Sequence, residues 1–152
     1  MATLKNANSE SKGTFDKIQK VLSTHGANKI MYDYKRDGSG KLEAITFAIQ
    51  INNQDVGFRL PAMADNVYKI MYGGEDRYGR EKEVTTAKVE QAYRTAWANI
   101  RDWIDAQMAL IDTEQVKVEQ VFLPYMIMKD GHTLYEQIER KGFELGDGKT
   151  HG

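Results

Sequence analysis

The chain has 152 residues, 41% of them hydrophobic and 28% charged, which is the composition of one globular domain. There is no cysteine, which excludes disulfides, thiolate zinc sites and cysteine nucleophiles and fits a reducing, cytoplasmic setting. The formal net charge of −1 excludes a uniformly basic phosphate-binding surface, so any nucleic-acid contact has to come from locally segregated charge.

Residues 1–13 are polar and lack the apolar run of a secretory signal. They are expected to form a disordered tail. A single domain is expected over 14–142, with a second disordered tail over 143–152. Thr14 reads as a helix N-cap, Phe15, Ile18, Val21 and Leu22 fall on one helical face, and Gly26 is placed to end the helix. Three segments of period two follow. Ile30, Tyr32 and Tyr34 alternate with Met31, Asp33 and Lys35. Ile45, Phe47, Ile49 and Ile51 alternate with Ala44, Thr46, Ala48 and Gln50. Val56, Phe58 and Leu60 alternate with Gly57 and Arg59. The RDGSG stretch and Asn52-Asn53-Gln54-Asp55 supply the turns, so the pattern predicts an antiparallel meander with one apolar face.

Asp65 is placed to cap a short helix carrying Val67, Ile70 and Met71. Residues 73–84 are glycine-rich, carry charge of both signs, and read as a mobile loop. Thr85 or Thr86 then caps the dominant element, a helix running to Ile111. Val89, Tyr93, Ala96, Ile100, Ile104, Gln107 and Ile111 form its stripe, with Trp97 and Trp103 on the flanks. At ~1.5 Å per residue this rod is about 40 Å long and is the natural cover for the sheet. The apolar run over 116–128 is ambiguous between helix and extended chain, and Pro124 interrupts it either way. Thr133 and Glu136 form a capping box for a last short helix closed by Gly142. The predicted fold class is therefore α+β: a three-stranded antiparallel meander covered on one face by a long amphipathic helix, with short peripheral helices. No apolar run is long enough to cross a membrane.

No motif of catalysis stands out. Asp33 to Gly40 resembles the start of a calcium loop, but Lys35 and Ala44 occupy positions that require oxygen ligands, so a plain hairpin tip is expected. His25, His132 and His151 have no metal-ligand spacing. Asp102 and Asp105 read as part of a charged helix face, with Arg101 able to pair with Asp105. The expectation is a non-enzymatic protein without metal or cofactor.

Two sets of residues carry binding hypotheses. Arg94, Trp97 and Arg101 lie along one helix edge, where guanidinium groups around an indole could hold a strand while a base stacks on the ring. Lys35, Arg36 and Lys41 add a basic hairpin tip, and Arg77, Tyr78 and Arg80 a basic aromatic loop. Phe122, Tyr125, Met126 and Met128 form an aromatic and methionine-rich segment suited to a protein partner.

Ala96-Trp97, Ile100, Asp102-Trp103, Ala106-Gln107 and Ala109-Leu110, followed by Val121 to Tyr125 and Gly131 to Glu136, resemble a family of small uncharacterised proteins of phages and prophages. The likeness runs from about Phe15 to Lys141 and implies a mobile-element origin without transferable chemistry. The order of helix, meander and long crossing helix is similar to the core of the single-strand annealing proteins of phage recombination. The Arg94–Trp97–Arg101 edge, the basic hairpin tip and the annealing-like element order together lead to the expectation of an oligomeric accessory protein that binds single-stranded nucleic acid in recombination or annealing. The alternative is a protein-interaction module that inhibits or modulates a host defence or replication protein.

Overall fold

The computed structural model describes the backbone of residues 4–144 and the side chains of residues 11–144. A helix, α1 (Leu4–Thr24), leads into strands β1 (Ala27–Tyr34), β2 (Leu42–Ile51) and β3 (Gln54–Pro61). A short helix, α2 (Ala64–Tyr72), precedes the long helix α3 (Thr86–Asp112). The chain ends with α4 (Val118–Phe122), a 3₁₀ turn (Leu123–Tyr125) and α5 (Leu134–Lys141). The fold is α+β, as the hydrophobic patterning predicts.

The strands form one antiparallel sheet in the order β1-β2-β3. Its register aligns Ile30, Phe47 and Phe58 in one row and Tyr32, Ile45 and Leu60 in the next. These side chains share one face because they occupy alternate positions on every strand. With Ile18 and Leu22 of α1 and Tyr93, Ala96, Trp97, Ile104 and Met108 of α3 they make the core. The β2–β3 connection is the tight pair Asn52-Asn53, both with positive φ. That is the two-residue hairpin geometry asparagine tolerates, so Gln54 already pairs with Ile51 within the sheet.

Several boundaries differ from the sequence expectation. Helix α1 starts at Leu4, so residues 4–13 are helical rather than a tail, while 1–3 and 145–152 lie outside the described residues. Thr14 lies inside the helix, and its hydroxyl accepts a hydrogen bond from Arg101 Nη1 at 3.3 Å instead of capping. Gly26, with φ of 102°, closes the turn after α1 as expected. Asp65 does not cap α2. Met63 holds the N-cap position in a left-handed conformation without a side-chain bond, and Asp65 falls in the first turn. Thr85 caps α3 by accepting from Lys88 N at 3.2 Å. Thr133 and Glu136 form the expected capping box.

Two links tie the layers together. His25 bonds the Val21 carbonyl and the Asp112 carboxylate at 2.8 Å each, joining the end of α1 to the end of α3. The chain after the 3₁₀ turn is extended: Met126 bridges Phe58 in antiparallel fashion, and Ile127 N donates to Gly57 O at 2.8 Å. The Ile127 side chain packs over Gly57, where a Cβ would lie 3.4 Å from its Cδ1. The small residue at 57 thus admits a segment of this chain. Among the described residues no helix is long and apolar enough to cross a membrane.

Candidate nucleic-acid interface

The helix edge proposed from spacing does not form a binding surface. Trp97 is fully buried, with its ring edge-on to Phe15 at 5.3 Å, so no base can reach it. The correction has a simple cause: α1 packs along α3 beside the sheet, so the buried arc of α3 is wider than one stripe and takes in the tryptophan. Arg94 Nη2 donates to Gln91 Oε1 at 2.8 Å along the helix. Arg101 pairs with Asp102 at 3.0 Å and with Thr14, not with Asp105. Asp105 instead pairs with Lys17 of α1 at 3.5 Å.

The basic hairpin tip divides. Arg36 is exposed. Lys35 pairs with Asp65 at 3.4 Å. Lys41 turns inward: it is 3% exposed and its ammonium lies 5.6 Å from the Tyr93 ring centroid. A register shift between Asp33 and Tyr34, opposite Ala44 and Leu42, sets Leu42 beside Tyr34 at the start of β2, and Lys41 is buried at this corner just before the strand. Tyr93 holds this corner from α3, its hydroxyl accepting from Leu42 N at 3.1 Å.

The charged loop does come together, and it is an organised hairpin. Glu75 and Glu81 bridge, Asp76 N donates to Arg80 O at 2.7 Å, and Gly79 takes a positive φ. The Asp76 carboxylate accepts from Tyr78 N at 2.8 Å and from Arg80 N at 3.0 Å. This side chain fixes the turn the way an Asx motif does. Tyr78 is 64% exposed, and the Arg77 and Arg80 guanidinium groups lie 4.9 and 5.3 Å from its ring centroid. The result is an aromatic face with two cations against it, held on a backbone that is ordered before any ligand arrives. The turn-ordering role of Asp76 is the feature that sequence reasoning passed over; an aspartate three positions before a glycine is its signature.

The segment proposed for a protein partner is mostly structural. Phe122 is fully buried against Phe47, Phe58 and Trp103, with centroids at 5.2, 5.8 and 5.6 Å, so it is a core residue and not a docking one. Tyr125, Met126 and Met128 are half-buried. Leu123, Tyr135 and Met63 are more exposed, and Met63, Tyr125 and Tyr135 border a groove of about 620 Å³. Among the described residues no group of three or more His, Asp or Glu is placed to hold a metal ion. No protein family, no curated protein and no solved structure matches this chain.

Proposed function

We propose that this chain is a non-enzymatic phage or mobile-element accessory protein of the cytoplasm that binds single-stranded nucleic acid through the hairpin carrying Arg77, Tyr78 and Arg80. The observation that carries this reading is the exposed Tyr78 ring with a guanidinium 4.9 Å and another 5.3 Å from its centre. A base stacks on such a ring regardless of its identity, and the arginines meet the flanking phosphates. Single strands are favoured because their bases are available for stacking. The site is small. Two phosphate contacts correspond to a salt slope of about −1.4 on single strands, and one stacked base contributes ~1–3 kcal/mol.

A site this small gains useful affinity when several copies act on one strand, and the outer edge of β1 suits a second copy. Paired antiparallel about Met31, Lys29 of one copy faces Asp33 of the other, and Ile30 faces Tyr32. Met31 is 60% exposed and would meet its own counterpart. In the single chain Lys29 lies 3.8 Å from Asp55, while Asp33 lies 3.6 Å from Arg59 and accepts a hydrogen bond from Thr46 Oγ1 at 3.0 Å, so the Lys29–Asp33 contact between copies would compete with these partners.

Fluorescence anisotropy with labelled single-stranded DNA, single-stranded RNA and duplex DNA at two salt concentrations tests the first claim. Salt-sensitive binding that prefers single strands and is lost in Arg77→Ala/Arg80→Ala supports it; binding unchanged by that pair rejects the site. Light scattering tests the second claim, with Met31→Lys expected to yield a monomer. The competing reading, a module that docks a protein segment, is favoured by the Met63–Tyr125–Tyr135 groove and becomes the working one if no nucleic acid binds.

A further inference from the structure

Between the β1–β2 hairpin, α2 and the start of α3 lies a cavity of about 380 Å³, the size of a small-ligand site. Its walls include the rings of Tyr68 and Tyr93, and its polar groups are Lys35, Lys41, Asp65 and Lys69. The 73–84 hairpin leaves the body between two lining residues, Lys69 and Val84. Lys41 is the informative group. It is almost wholly buried, and its ammonium has no hydrogen-bond partner. A desolvated ammonium with three unused donors is costly, and burial pushes its pKa below the ordinary lysine value.

Glu90 of α3 opposes that shift from nearby but does not satisfy the ammonium. It too is fully buried, and neither of its oxygens has a partner. The two charges attract across a gap without touching. An acceptor entering the cavity would complete Lys41, and the other charges select its kind. Asp65 is already paired with Lys35, which leaves Lys69 as a second cation. Several acceptor oxygens on one compact anion match a cluster of ammonium groups, and a flat or sugar-like body fits beside two tyrosines.

We propose that this cavity binds a phosphate monoester, with Lys41 donating to the phosphate oxygens and Lys69 closing the rim. The monoester is either a free nucleoside monophosphate or the terminal phosphate of a nucleic acid strand. The inference does not depend on the Tyr78 hairpin.

Titration calorimetry on the full chain tests it with two matched pairs: AMP against adenosine, and a short thymidine oligonucleotide with and without a 5′-phosphate. The phosphate is expected to strengthen binding about tenfold or more in at least one pair. A gain with AMP assigns the free nucleotide as the source, and a gain confined to the oligonucleotide assigns the strand end. Lys41→Met should abolish the gain. Lys69→Glu, at an exposed position that leaves the core intact, should reduce it severalfold and serves if Lys41→Met fails to fold. Arg77→Ala/Arg80→Ala should keep the phosphate preference even where it weakens strand binding, which separates this site from the hairpin. No phosphate-dependent gain in either pair, or a gain that survives both lysine variants, overturns the proposal.

Discussion

Exchanging the roles of Trp97 and Tyr78 gives the sharpest test of where a base could stack. An indole buries about 150–250 Å². At ~25 cal/mol per Å² that sets an upper bound of about 4–6 kcal/mol for Trp97, and tryptophan-to-alanine changes in cores cost ~3–5 kcal/mol. Trp97→Ala therefore removes a large share of a stability of ~5–15 kcal/mol. With a urea slope of ~2 kcal/mol per M, the midpoint should fall by about 2 M. Tyr78→Ala, on an exposed turn that Asp76 orders through backbone N–H groups, should move the midpoint by less than ~0.5 kcal/mol equivalent. It should weaken single-strand binding about five- to 150-fold, the equivalent of one lost stack. Urea denaturation and anisotropy on the same two variants read both quantities. A Trp97→Ala protein of near-native stability that has lost binding would refute the packing argument. A Tyr78→Ala protein that binds like wild type would refute the hairpin.

The same logic applies to Phe122, whose three ring partners and full burial predict a loss of ~3–5 kcal/mol on Phe122→Ala; a change under about 1 kcal/mol would return it to the surface. Lys41 has a pKa lowered by burial from 10.5, so just below that pH the unfolded chain holds a proton the folded chain has released. Its contribution to stability therefore rises with pH as the unfolded chain's value of about 10.5 is approached from below, and urea midpoints should rise over that range in wild type relative to Lys41→Met. Parallel curves would contradict this. Glu136 is held below its usual 4.5, first by the Thr133 N–H, so its support for α5 is present above that value and lost as pH falls through the lowered one. Amide exchange in α5 should accelerate there, and Thr133→Ala should show faster exchange already at neutral pH.

The meander, the long helix and the Thr133 cap were legible in the sequence because each rests on a local rule: alternation, a spacing of three and four, and a hydroxyl followed by a carboxylate three residues on. The misplaced residues share a different origin. Trp97 is buried because α1 packs along α3, and periodicity locates the middle of an apolar stripe without giving its width. Lys41 is buried beside the Tyr93 ring of α3, a contact between residues far apart in sequence that a run of basic residues at a hairpin tip does not announce. Phe122 lies in a short apolar run whose helical turn is decided by the aromatic rings it meets. The 74–82 hairpin reads as irregular because its order comes from one carboxylate gripping backbone amides. Of the candidate residues, Arg77, Tyr78 and Arg80 are brought together as a local cluster, which suits their closeness in sequence.

The short bridge from Met126 to Phe58, with Ile127 bonded to Gly57, has a bearing on symmetry. It occupies the middle of the outer edge of β3, so among the described residues β1 is the sheet's one fully open edge. Two copies meeting there would use the same strand on both sides, related by a two-fold axis, and each would present only its blocked β3 edge outward. Such an association closes on itself. It would give a six-stranded dimer and stop, whereas an open edge at both ends would allow head-to-tail growth into fibres. Freeing the β3 edge, for instance by Ile127→Pro, would remove that terminator and turn a discrete pair into a chain able to aggregate through its sheets.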